Sequence, residues 1–129
     1  MKVLSVDHIT INMNNVEKTI IFYEDIFGFV KNREVDMGDH ILYLYQLPGN
    51  IQLELIKYKE EQKNWSTNNT DTGIYRHFAL SVDNLEECRE KCEKAGYGIN
   101  LYPKYIKEIN KTVMLVKDPN GVEIEVIQA

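Results

Sequence analysis

The sequence predicts an α+β fold built from two tandem βαβββ modules, and three observations predict it. Residues 7–18 (DHITINMNNVEK) and 76–87 (RHFALSVDNLEE) share one order: a charged residue, His, an alternating apolar run, then Asn, an aliphatic residue and Glu. His8 and His77, Asn15 and Asn84, and Glu17 and Glu86 each lie 69 positions apart. Each repeat runs into apolar residues at helical spacing and, later, into two alternating segments joined by strong turn residues.

The elements follow in chain order. Residues 8–12 (HITIN) alternate as a strand. Val16, Ile20, Tyr23 and Phe27 then recur at helical spacing, with Gly28 as the stop. Asn14 and Glu17 offer a loose capping box at the helix start. A strand is expected near residues 30–35. Residues 40–46 (HILYLYQ) and 51–58 (IQLELIKY) form a hairpin across Leu47, Pro48, Gly49 and Asn50. The polar stretch 59–74 is the expected linker between module 1, about residues 1–58, and module 2, about 75–129. The whole of 1–129 is expected to form a single domain. In module 2, residues 77–82 (HFALSV) make the first strand. Leu85, Cys88, Cys92 and Ala95 mark the helix, capped by Asp83 and Glu86 and stopped by Gly96. A strand near 99–102, a loop carrying Lys104, Lys107 and Lys111, and a hairpin of 111–116 with 122–128 across Asp118, Pro119, Asn120 and Gly121 complete the copy.

Composition narrows the partners. Net charge is −5 and the pI about 5.2, a balance that attracts neither nucleic acid nor anionic membranes. No apolar run approaches the roughly 18 residues of a membrane span, and the N-terminal residues lack a signal-peptide pattern. The expected location is cytoplasmic. Cys88 and Cys92, the two cysteines, read as small apolar residues on a helix face in a reducing compartment.

Alternation assigns the chemistry. Ile51, Leu53 and Leu55 take one face of their strand and Gln52 and Glu54 the other; Val122, Ile124 and Val126 oppose Glu123 and Glu125. His8, Thr10 and Asn12 oppose Ile9 and Ile11, and His77, Ala79 and Ser81 oppose Phe78, Leu80 and Val82. Each module thus carries one His on its first strand and a carboxylate on its last. Glu123 and Glu125 both satisfy the alternation; the repeat favours Glu125, because Leu53-Glu54-Leu55 aligns with Ile124-Glu125-Val126. Two facing modules would unite His8, Glu54, His77 and Glu125, a donor set suited to a borderline divalent ion such as Zn, Ni, Co, Fe or Mn. His40 has no counterpart in the second copy and is expected to be structural or exposed.

These residues carry a resemblance. Val6-Asp7-His8, Phe22-Tyr23 with Phe27-Gly28-Phe29, residues 76–82, Asp118-Pro119-Asn120-Gly121 and Ile124-Glu125-Val126 together resemble the vicinal oxygen chelate superfamily. That superfamily includes glyoxalase I, methylmalonyl-CoA epimerase, extradiol dioxygenases, fosfomycin-resistance enzymes and bleomycin-binding proteins. The resemblance implies two βαβββ modules curling into a half-open barrel around a metal. It is greatest to short bacterial glyoxalase I-like proteins, and it implies His8, Glu54, His77 and Glu125 as metal ligands, with Ni, Co or Zn as the ion. It also implies a homodimer with sites between subunits, acting on a small-molecule substrate.

The implied reaction is proton transfer on the hemithioacetal of methylglyoxal and a thiol through a metal-stabilised enediolate, as in lactoylglutathione lyase. Glu125 is the implied base and Glu54 its partner across the substrate. One departure stands out. Glutathione-dependent members carry an Arg and an Asn where this chain has Asn12 and Tyr58, the candidate substrate-binding residues. Asn12 cannot grip a carboxylate as Arg does, which argues against glutathione. Alternation points Arg76, beside His77, to the opposite strand face. The alternatives are an epimerase acting next to a thioester carbonyl and a metal-free drug-binding protein. A dioxygenase is disfavoured, since non-haem iron sites use two His and one carboxylate.

Overall fold

The computed structural model describes residues 1–129. The chain divides into two compact units, Met1–Lys63 and Asn64–Ala129. In the first, β1 (His8–Asn12) leads into α1 (Val16–Ile21) and a wider π turn, Phe22–Ile26; β2 (Lys31–Asp36), β3 (His40–Leu47) and β4 (Ile51–Tyr58) follow. In the second, β5 (Phe78–Val82) leads into α2 (Leu85–Ala95), then β6 (Ile99–Ile106), β7 (Lys111–Lys117) and β8 (Glu123–Gln128). Each unit holds a four-stranded mixed sheet, ordered β1-β4-β3-β2 and β5-β8-β7-β6. Its first and last strands lie side by side and parallel, while the hairpin pairs are antiparallel. The expected βαβββ order is therefore present twice. Neither sheet closes on itself.

The pairing of first strand with last is what matters for the site. A helical crossover is the connection that lets β1 and β5 run parallel to strands far along the chain. It places Thr10 opposite Glu54, and Ala79 opposite Glu125.

Capping differs by one residue from expectation. Asn15 caps α1, its Oδ1 accepting the Lys18 N–H at 2.9 Å, and Asn84 caps α2, accepting the Glu87 N–H at 3.1 Å. These are the repeated asparagines themselves. Their short side chains reach the free N–H groups of the first turn directly, so no Glu need close a box. The first helix also departs from uniform α geometry. Its widened turn lets the consecutive rings of Phe22 and Tyr23 both bury completely. Tyr45, also fully buried, spends its hydroxyl on Glu24 Oε1 at 3.0 Å, and burial with that bond raises its pKa above the ordinary phenol value.

In the second unit, β6 runs to Ile106, so Lys104 stands on a strand opposite Val113 instead of in a loop. Pro103 is tolerated there because β6 is an edge strand whose register shifts between Leu101 and Lys104.

The cores are the apolar faces expected from alternation. Leu53, Leu55, Ile124 and Val126 are fully buried, with Tyr45, Met114 and Val116 beside them on the neighbouring strands. Leu53→Ala removes a buried side chain whose neighbours cannot fully collapse, and is expected to cost about 2–5 kcal/mol in chemical denaturation.

Candidate metal centre

Asp118 fixes the turn that delivers the second carboxylate. It is buried, its Oδ1 accepts the backbone N–H groups of Asn120 at 2.8 Å and Val122 at 2.9 Å, and Gly121 takes the positive φ of 84° that the turn requires. The strand restarts at Glu123, so Ile124 and Val126 enter the core while Glu125 faces the other way, half-buried. In the first unit, Gly49 and Asn50, both at positive φ, turn the chain into β4. Glu54 emerges between the buried Leu53 and Leu55.

Each unit then brings one imidazole to one carboxylate. His8 Nε2 lies 3.5 Å from Glu54 Oε2, and His77 Nε2 lies 3.1 Å from Glu125 Oε2. Thr10 adds a hydroxyl that donates to the same Glu54 oxygen at 3.2 Å. The other ring nitrogens face further carboxylates. His8 Nδ1 donates to Asp7 Oδ1 at 2.7 Å. That bond raises the His8 pKa above its ordinary value; burial opposes the rise, and the Glu54 charge adds to it. His77 Nδ1 is buried, has no hydrogen-bond partner, and lies 3.7 Å from Glu123 Oε1.

The donor chemistry fits a divalent transition ion. A metal-ligating imidazole commonly presents one nitrogen to the ion while the other is oriented by a carboxylate, and both histidines have that surrounding. Neither unit gathers three His, Cys, Asp or Glu donors that could hold a metal ion. Each pair supplies two donors.

The remaining expected residues are placed as follows. Asn12 lies opposite Ile56 on β1, and Tyr58 ends β4 on the face that carries Glu54. Tyr58 packs against His40 with the rings tilted by 39° and their centroids 5.1 Å apart, and His40 Nδ1 bonds Asp39 at 2.5 Å, a structural arrangement. Arg76 departs from expectation. Its Nη1 donates to Glu123 Oε1, on the side where His77 meets that carboxylate. β5 begins at Phe78, so His77, expected on the strand, and Arg76 both lie just before it, and strand alternation governs neither. Thr10, Glu123 and Asn100, whose Nδ2 donates to Glu123 Oε2 at 2.8 Å, complete the surroundings. Of these, Glu123 was visible in sequence as a rival to Glu125; Asn100 carried no signal, because its contact depends on β6 lying beyond β7.

The family model described as Glyoxalase/Bleomycin resistance protein/Dioxygenase superfamily matches residues 5–126. A lactoylglutathione lyase of Neisseria meningitidis is 27% identical over 130 residues, covering 94% of this chain and 88% of the relative. Among solved structures, a glyoxylase/bleomycin resistance protein/dioxygenase domain from Frankia sp. superposes with a TM-score of 0.82 at 15% identity, covering 99% of each chain. A glyoxalase family protein from Enterococcus faecalis does so at 0.77 and 23%, covering 96% of this chain and 97% of that one. No helix is long and apolar enough to cross a membrane.

Proposed function

Since the chain belongs to the glyoxalase/bleomycin resistance protein/dioxygenase superfamily, we propose that it is a metal-dependent lyase or isomerase of the glyoxalase I type. The observation that carries this reading is the twin His–Glu pair, one in each unit, with the imidazole nitrogen and carboxylate oxygen 3.5 and 3.1 Å apart. His8 and Glu54 from one unit and His77 and Glu125 from the other would hold one ion of Ni, Co or Zn. Residues 1–129 act as a single domain, and a homodimer builds each site from both subunits. The two buried free thiols, Cys88 and Cys92, suit a reducing cytoplasm.

The reaction is an isomerisation. When bound, the ion supplies stabilisation of the negative charge that grows on the two neighbouring substrate oxygens. Glu125 removes the proton from the carbon bearing sulfur and returns it to the adjacent carbonyl carbon. One C–H bond breaks, another forms, and the hydroxyl proton passes to the neighbouring oxygen. A hemithioacetal thus leaves as a 2-hydroxy thioester, with no redox partner required. Glu54, on the other pair, faces the substrate from the opposite side. Both carboxylates are about 80% screened from water at the side chain, which strengthens their electrostatic grip on a reacting proton.

Asn12 and Tyr58 lie on the Glu54 face and carry no charge, so a thiol with a terminal carboxylate gains no ion pair from them. Hemithioacetals of methylglyoxal with a panel of thiols, assayed on nickel-, cobalt- and zinc-loaded protein, test the proposal. The expected result is metal-restored turnover with at least one thiol. The glutathione adduct should have a kcat/KM about 10- to 100-fold below the best, the worth of a missing charge-assisted bond. Absence of turnover with every thiol and metal contradicts the reading.

A further inference from the structure

The two half-sites solve one problem with different residues. Asp7 corresponds to Arg76 by the 69-residue repeat, and Gln52 to Glu123 by strand register, since Thr10 pairs with Glu54 and Ala79 with Glu125. In the first, the carboxylate that meets the imidazole Nδ1 comes from the residue before His8, and the Asp7 side chain is 91% exposed. In the second, the residue before His77 is an arginine, and the carboxylate comes from Glu123, whose side chain is 5% exposed. Water competes for the Asp7 carboxylate. It does not reach the His77 Nδ1 atom, which is buried and without a hydrogen bond.

Burying a carboxylate is costly unless its oxygens are compensated. Glu123 is compensated on both: Arg76 Nη1 donates to Oε1, and Asn100 Nδ2 donates to Oε2 at 2.8 Å. These contacts fix the carboxylate against the Nδ1 edge of His77, 3.7 Å away, while Glu125 stands at the Nε2 edge. An imidazole that gives its Nε2 lone pair to a cation must keep its proton on Nδ1, where positive charge then accumulates. In a dry setting, a fixed negative charge beside that proton stabilises the cation-bound ring.

We infer that Glu123, clamped by Arg76 and Asn100, is a positioning residue for His77: it holds the ring proton on Nδ1 and directs Nε2 toward Glu125, making this the pre-organised half of the metal centre. The inference rests on the metal-centre reading above.

Zinc(II) affinity of the full-length protein, measured by competition with a chelating dye, tests it in three variants. Glu123→Gln keeps the volume and loses the charge; affinity is expected to fall about 10- to 100-fold. Glu123→Asp keeps the charge on a shorter stem and is expected to retain more affinity than the Gln variant. A packing role alone gives the opposite order, because Gln is the better isostere, and that order overturns the inference. His77→Ala is the control. If it leaves zinc affinity unchanged, the metal-centre reading itself fails; if it weakens binding while Glu123→Gln does not, only the role of Glu123 fails.

A measurement on the unsubstituted protein covers the case in which a variant does not fold. Long-range ¹⁵N–¹H correlation of the zinc-loaded protein should show the His77 proton on Nδ1. A proton on Nε2 overturns the inference.

Discussion

Glu125→Gln lowers kcat by about 10²- to 10⁴-fold, the range that a positioned general base contributes. The substitution is nearly isosteric, and the strand around it is anchored by Ile124 and Val126, both fully buried, so the fold survives. An amide oxygen still coordinates a metal but cannot accept the proton from carbon. The decisive comparison is steady-state turnover at saturating nickel alongside measured metal content. A protein that keeps its ion and loses its rate places the base at Glu125. Full turnover in the Gln variant assigns the base elsewhere, with Glu54 the next to examine.

Removing either imidazole has the second large effect. His8→Ala and His77→Ala each delete one of the four proposed donors, and metal affinity is expected to fall more than about 100-fold, beyond the loss usual for an outer carboxylate. The two variants should not be equal. His8 is the more exposed ring, its Nδ1 carboxylate is nearly free in solvent, and its Nε2 lies 3.5 Å from Glu54; His77 is closer to its carboxylate and set between two. The His77 substitution should therefore cost more. Equilibrium competition with nickel distinguishes them, and chelation of the unsubstituted protein should abolish turnover until nickel is restored.

Strand alternation made the carboxylates legible. Leu53 and Leu55 are fully buried, and the pleat obliges Glu54 between them to face away; the buried Ile124 and Val126 do the same for Glu125. Alternation alone cannot separate Glu125 from Glu123, since both side chains stand on one face, and the 69-residue offset of the first strands carries Glu54 to Glu123; only the alignment of Leu53-Glu54-Leu55 with Ile124-Glu125-Val126, two residues further on, favours Glu125. The residues that escaped notice are those whose positions depend on strand ends and sheet order. Arg76 precedes the first paired residue of β5, so its direction is set by the loop entering the strand. Asn100 reaches Glu123 only because β6 is the outer neighbour of β7. The widened turn at Phe22–Ile26 was also hidden: its apolar spacing is compatible with a plain α-helix, whereas in the fold the adjacent Phe22 and Tyr23 are both fully buried.

We propose that two half-sites, each one imidazole and one carboxylate, close on a common ion. X-ray absorption on the nickel-loaded protein, combined with titration of metal per subunit, tests it most directly. The account predicts one nickel per subunit, bound by two imidazole nitrogens and two carboxylate groups, with the imidazole signal halved in His8→Ala and in His77→Ala. Two ions per subunit, each held by one histidine, or an ion whose ligation is unchanged in both variants, would contradict it.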